Sequence, residues 1–360
     1  MTQTTHIPWD HMNIYSLDDG SDGLPLVIEP SGDATDQTLA SWLEHNRDTL
    51  LGQLHERGAL LFRGFDIDQP EAFERVVLAL DPDLKDEYLG TSPREGLTQY
   101  VFTASELPGW YPIPQHCEMS FLPTPPRRLF FGCLVAPNNG QGEGGETPLV
   151  DFRRVLQRLD PDVRQRFEER GIRTIRNYGP PGSGRFNLWQ LKPWDAMFGT
   201  TDRSVVEDKC RQEGIRFEWR PGGGLRLTGE SPAVTVHPTQ GTAAWFNHLQ
   251  VFHIGSGPAE YKRIYRFRGG LRPWFLWRFS QAMVALKCWF GRSENHTLHC
   301  TYADGEEIPD ADIEHVRDVI WDNMVVFPWK PGDVVAIDNF SVSHGRLPYK
   351  GPRQIVVSWS

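Results

Sequence analysis

The chain has 360 residues, with 37 basic against 47 acidic side chains and a formal net charge of −10. At 39% hydrophobic and 12% aromatic it can bury a sizeable core, which excludes a disordered chain. An acidic balance with no basic block excludes nucleic acid as a main partner, because duplex affinity rests on clustered cations.

The spacing of Leu39, Trp42, Leu43, Leu50 and Leu54 predicts a helix over 38–57, stopped by a left-handed residue at Gly58. The run 59–62, Ala-Leu-Leu-Phe, reads as a buried strand. Pro70 then opens a helix over 70–80 that buries Phe73, Val76, Val77 and Leu80. Further strands are predicted at 129–135, 147–150, 172–175, 234–237, 243–246, 334–337 and 354–359. Helices interrupt them at 152–171, with Asp151 as cap, and at 313–324. Residues 138–145 read as a glycine-rich connection. The aromatic segment 273–291 is broken by Arg278, Gln281 and Lys287 below the length of an uncharged span. It reads as a packed or lid-forming helix in preference to a membrane-facing surface. Strands in the middle and last third, with helices before and between them, predict a mostly β fold: a sandwich or jelly roll wrapped by helices.

Five cysteines (Cys117, Cys133, Cys210, Cys288 and Cys300) without a CxxC exclude a disulfide framework and a four-sulfur zinc site, and fit a reducing cytoplasm. Residues 1–17 carry no apolar signal core after a basic start. Neither GxGxxG nor GxxxxGK[ST] occurs, so a nucleotide phosphate cradle lacks support.

The chemistry-bearing residues lie in two distant segments. His116 and Glu118 belong to the run 115–121, Gln-His-Cys-Glu-Met-Ser-Phe. On an extended strand residues i and i+2 share a face, which sets imidazole and carboxylate side by side. With one distant histidine such a pair makes a facial triad that leaves three positions open on Fe(II). Alone, H-x-E is a weak signal, and a satisfied histidine beside a surface glutamate is the bland reading. The segment 338–353 adds His344 after a strand-like run and Arg353 entering the last apolar strand. A cation there is costly without an anion, and a planar guanidinium suits a carboxylate held by two prongs. A metal at one point, with a dicarboxylate stretching from it to Arg353, is the physical suggestion. His248, His253 and the pair His296 and His299 read as ordinary polar packing. Ser341 and Ser343 lack a nucleophile elbow.

The runs 60–65 (Leu-Leu-Phe-Arg-Gly-Phe), 92–94, 113–121, 144–151, 244–248 and 344–353 follow one another in a definite order. Together they resemble the TauD/TfdA (taurine dioxygenase-like) family of Fe(II)- and 2-oxoglutarate-dependent oxygenases, in particular its SyrP-like members. The resemblance implies a double-stranded β-helix, the clavaminate synthase-like jelly roll. It implies a single domain over 1–360, with a helical portion at about 35–90 and a core at about 110–360 carrying helical insertions. It implies His116, Glu118 and His344 as Fe(II) ligands. Arg353 would meet the distal carboxylate of 2-oxoglutarate, and Thr147 would add a hydroxyl. Asn247 and His248 would face the substrate, as would Arg94, for which loop bracing is an equal alternative.

Most of the family has aspartate where Glu118 stands, and members that bind a sulfonate carry a second arginine where this chain has Val357. Taurine is therefore not the expected substrate. Halogenating relatives put a small residue at the carboxylate position, so Glu118 implies hydroxylation. The expectation is a cytoplasmic dioxygenase taking Fe(II), 2-oxoglutarate and O2. It would hydroxylate an amino acid, free or bound to a peptidyl carrier protein, in specialised metabolism, with no nucleic-acid or membrane partner. Desaturation or ring closure is the nearest alternative. A zinc hydrolase on the same ligands and a catalytically idle binding protein are the readings from other classes. His116 and His344 lie 228 positions apart, long for the family, so an insertion is expected within 179–229 or 257–293, at least one of them over the active-site mouth.

Overall fold

Residues 12–17, 24–86, 94–105, 107–137, 144–183, 193–291 and 295–360 are described in a computed structural model. In chain order its elements are β1 (Met12–Ser16), β2 (Leu26–Pro30), α1 (Asp36–Arg57), β3 (Ala59–Phe62), α2 (Pro70–Leu80), β4 (Phe102–Thr103), β5 (Ile113–His116) and β6 (Arg128–Val135). Next come β7 (Leu149–Asp151), α3 (Phe152–Arg158), α4 (Pro161–Arg170), β8 (Ile172–Tyr178), α5 (Trp194–Phe198), α6 (Arg203–Gln212), β9 (Arg216–Trp219), β10 (Leu225–Ser231), β11 (Val234–Val236) and β12 (Ala243–Trp245). The last are α7 (Leu249–Phe252), α8 (Ser256–Arg268), α9 (Leu271–Phe290), β13 (Leu298–Tyr302), α10 (Asp310–Asp322), β14 (Val334–Asp338), β15 (Val342–Arg346) and β16 (Gln354–Trp359). Two compact units share them: Met1–Tyr111 with Pro126–Asp151 and Val325–Ser360, and Pro112–Pro125 with Phe152–Met324.

In the first unit, seven strands form one sheet in the order β1-β2-β3-β14-β6-β16-β4. Central β3 is buried throughout, runs parallel to β2 and antiparallel to β14, and so reads as a continuous apolar run. Helices α1 and α2 cover it, placing Leu39, Leu43, Leu50, Leu54, Phe73 and Val77 in the core. Their ends follow from the sequence. Thr35 caps α1 by accepting from the Thr38 amide, Gly58 closes it at φ 87°, and Pro70 stands in the first turn of α2. A buried two-pronged pair braces the turn into β14, with Arg63 Nε donating to Asp333 Oδ1 at 2.9 Å and Nη2 to Oδ2 at 2.7 Å. β15 pairs antiparallel with β7, setting His344 opposite Leu149.

The second unit holds a sheet in the order β13-β8-β10-β9. Tyr178, Trp194, Val206, Leu225 and Leu227 form a core between this sheet and α5 and α6. This is the structure within the 179–229 segment, of which 184–192 lie outside the described residues. Ser92, Pro93 and residues 138–143 of the glycine-rich connection also lie outside them.

Several expectations are corrected. Among the described residues helix exceeds strand, 37% against 26%, so the fold is not mostly β. The helix expected over 152–171 is two, α3 and α4. Pro161 disfavours a helical Asp160, whose carboxylate instead caps α4 by accepting from the amides of Asp162 and Val163. Asp151 lies at the end of β7, directly before α3, and Thr147 precedes that strand. Arg353 stands one residue before β16. The helix in 273–291 is not packed into a core: Ser280 is its one buried residue.

Candidate active site

In the second unit, β5 ends at His116, and Glu118 sits in the turn that follows rather than on the strand. Strand alternation is therefore not what brings the pair together. The turn passes through Met119 at φ 51°, a left-handed conformation uncommon for a residue with a side chain. Glu118 Oε2 comes to 3.7 Å from His116 Nε2. That is too far for a hydrogen bond, so the two donors stand side by side without consuming one another. His116 Nδ1 lies 2.9 Å from the Pro114 carbonyl. This contact holds the proton on Nδ1 and leaves Nε2 as the electron-pair donor, as in metal-bound histidines.

Behind the pair stand His248, which the sequence reading set toward the substrate, and further residues that it missed. Ser120 Oγ is 2.6 Å from His248 Nδ1, and the His248 ring meets His116 edge-on at 5.3 Å between centroids. Phe121 packs against His248 at 4.9 Å, and the Arg176 guanidinium lies 4.5 Å over the Phe121 ring. Gln250 Nε2 donates to the Gln115 carbonyl next to His116. These contacts span up to 135 positions, and no local pattern announces them. Asn247, expected to face substrate, instead donates to Ala233 O at 2.8 Å and accepts from the Leu249 amide at 3.0 Å. Both ends of its amide thus hold backbone.

The first unit carries the other predicted residues. His344 is 6% exposed on β15, its ring 4.9 Å from that of Phe131. Arg353 Nε donates to Gly145 O at 2.8 Å, and Nη2 lies 3.4 Å from Thr147 Oγ1. Trp329 Nε1 donates to the same hydroxyl at 3.1 Å. Gly145 must lack a side chain: at φ 76°, a Cβ there would stand 3.1 Å from Arg353 Cδ and 3.0 Å from Tyr349 Cβ. Among the described residues no carboxylate forms an ion pair with Arg353. Burial, with Arg346 adding to it, pulls its guanidinium down to about 10, as desolvation does to a cation. Arg94 lies 5.5 Å over the Trp359 ring.

The remaining candidates are structural. His299 is on β13, not a helix, with Nε2 2.9 Å from Glu307 Oε2. Burial, then Arg317 and His299, pushes His253 down to about 3, which keeps it neutral. Ser341 Oγ donates to Asp338 Oδ2 at 3.2 Å and Ser343 Oγ to Val150 O at 3.4 Å, so neither is poised as a nucleophile.

The donor chemistry suits a borderline divalent metal: an imidazole whose Nδ1 is turned to a backbone carbonyl, and a carboxylate only 4% exposed, which a cation would stabilise. Residues 23–359 match the family model described as taurine catabolism dioxygenase TauD, TfdA family. The dapdiamide synthesis protein DdaC of Enterobacter agglomerans is 32% identical over 349 residues, covering 96% of this chain and 93% of that protein. A clavaminate synthase-like protein of Arabidopsis thaliana is 30% identical, covering 88% and 84%. The solved structure of PvcB from Pseudomonas aeruginosa aligns over 97% of this chain and 90% of its own, with a TM-score of 0.51 at 15% identity. That likeness shows the fold, a jelly roll. The chain belongs to the TauD/TfdA family and is a 2-oxoglutarate-dependent non-haem iron dioxygenase, an oxidoreductase that takes Fe(II), 2-oxoglutarate and O2. With that membership, the zinc hydrolase and the idle binding protein fall away.

Proposed function

We propose that this dioxygenase hydroxylates an unactivated C–H bond of an amino acid, free or tethered to a peptidyl carrier protein, in specialised biosynthesis. The observation that carries the reading is the His116–Glu118 pair, with its imidazole tautomer fixed and a carboxylate beside it. A retained carboxylate fills the position that halogenation leaves for halide. DdaC, named for dapdiamide synthesis, supports an amino-acid-like substrate. Val357 supports a substrate other than a sulfonate.

In this reading His116, Glu118 and His344 are the three protein ligands of one ferrous ion. When bound, iron and 2-oxoglutarate supply an oxidant for hydrogen abstraction, with succinate and CO2 as by-products. The chain's residues do the positioning. Arg353 receives the distal carboxylate of 2-oxoglutarate with Thr147 donating a hydroxyl, Trp329 orients that hydroxyl, and Tyr349 walls the guanidinium at 5.3 Å. His248, set by Ser120, buttresses His116 and lines the substrate side. Asn247 fixes the start of α7 behind it. Arg94 holds a substrate carboxylate. Because each unit recurs along the chain in separate segments, we read both as one catalytic domain. We place the enzyme in the cytoplasm, which the five free cysteines support.

The test is a screen under air of amino acids and carrier-linked aminoacyl thioesters, reading succinate and product mass. A substrate that stimulates succinate formation at least about tenfold and gains 16 mass units supports hydroxylation. A loss of two mass units replaces hydroxylation by desaturation or ring closure. Stimulation by sulfonates alone would overturn the substrate class.

A further inference from the structure

Helices α8 and α9 form a hairpin whose outer surface has no place in the chemistry above. α8 is anchored at its start: Ala259, Tyr261 and Ile264 are buried, and Arg263 Nη2 donates to Asp318 Oδ1 at 2.6 Å. The chain reverses through Gly269 and Gly270, at φ 70° and 92°, where a side chain would strain the turn. α9 then packs one face on α8, with Trp277 stacked on Tyr265 at 6.1 Å and Ser280 buried. At about 100° per residue, Leu271, Phe275, Phe279, Leu286 and Trp289 share the opposite face. That face is bare: Leu271 is 86%, Trp289 84% and Phe290 80% exposed.

Charge decides what covers it. Residues 261–291 contain seven lysines and arginines and no acidic side chain, in a chain of net charge −10. Arg266, Arg268, Arg272, Arg278 and Lys287 are exposed, with Arg272 and Arg278 flanking the apolar face. A second copy docking face to face would set like charges against each other. A protein partner would call for directional hydrogen bonds, yet Gln281 is the one exposed amide or hydroxyl side chain of α9. Aromatic rings and cations without directional groups are what an anionic lipid interface takes. No helix of the described residues is long and apolar enough to cross a membrane.

We infer that the α8–α9 hairpin docks the enzyme on anionic phospholipid, with α9 lying in the interface plane. The surface set aside in the sequence reading is thus the one the exposed rings favour.

The experiment is co-sedimentation of the full-length enzyme with vesicles of phosphatidylcholine alone, or with about a third phosphatidylglycerol. Expected is at least tenfold stronger partitioning to the anionic vesicles, falling severalfold when salt rises from about 0.1 to about 0.5 M. The double variant Trp289→Ser, Phe290→Ser should lose about tenfold or more of that binding while keeping its melting temperature and its 2-oxoglutarate turnover. Arg272→Glu with Arg278→Glu should lose it likewise. Equal binding to neutral vesicles, no binding to either, or undiminished binding by both variants would overturn the inference. So would a dimer in solution that the first variant dissolves, which would assign the face to self-association.

Discussion

Replacing His344 by alanine should lower succinate formation by about a thousandfold or more, both with substrate and without it. The residue stands on β15, every position of which is buried, and opposite Leu149 of β7. The backbone there is fixed by the ladder, so the substitution removes a ring and leaves the strand in place. Loss of the contact with Phe131 at 4.9 Å costs stability of the order of 1–3 kcal/mol, which an intact large domain tolerates. Loss of one of the three proposed protein ligands should not be tolerated in the same way, because two ligands would no longer hold the ion against dilution. The checking measurement is succinate by chromatography, alongside a melting curve within several degrees of the parent. A folded His344→Ala enzyme with more than about a tenth of the parent rate would remove His344 from the ligand set.

Arg353→Ala should act differently, raising the apparent KM for 2-oxoglutarate by about a hundredfold while leaving kcat within several-fold at saturation. The pairing of a desolvated guanidinium with a carboxylate is worth about 2–5 kcal/mol when one partner is cut away. It is a binding interaction made equally in the ground and transition states, so it appears in KM. A guanidinium pulled down to about 10 by burial and by Arg346 is still charged at neutral pH. Arg353→Lys should recover only part of the loss. A point charge on a flexible stem cannot reproduce a fork held at its Nε by Gly145 O at 2.8 Å. An unchanged KM in Arg353→Ala, read from initial rates over a 2-oxoglutarate series, would contradict the assigned pairing.

How much of this was legible beforehand depends on the range of the interaction. The ends of α1, α2 and β3 were readable because Gly58, Pro70 and the run 59–62 act on their immediate neighbours. His116 and Glu118 were found for a reason that failed in detail: the strand stops at His116, and a turn through Met119 does what alternation was expected to do. Their support by Ser120 and Gln250, and the packing of the expected substrate-facing His248 against His116, were invisible, since these contacts join β5 and its turn to residues around α7. Asn247 was misread for the related reason that a sequence does not say whether an amide faces a ligand or its own backbone. The hairpin β9–β10 was missed because arginine and glutamate interrupt its apolar pattern, although Arg216 and Arg173 both pair with Glu230 across the sheet. In α9 the aromatic run was legible but its environment was not. Apolar residues all round a helix predict burial, and here seven of the eleven large ones face solvent.

The central claim, that His116, Glu118 and His344 hold one ferrous ion which 2-oxoglutarate then chelates, is tested most directly by anaerobic titration. Purified enzyme receives one equivalent of Fe(II) and then 2-oxoglutarate, with the visible spectrum recorded at each addition. The account predicts a metal-to-ligand charge-transfer band that saturates at one 2-oxoglutarate per chain. The band should be lost in Glu118→Ala and His344→Ala alike, and should need far more 2-oxoglutarate in Arg353→Ala. A parent enzyme that binds the keto acid yet develops no band, or a Glu118→Ala variant whose band matches the parent's, would contradict it.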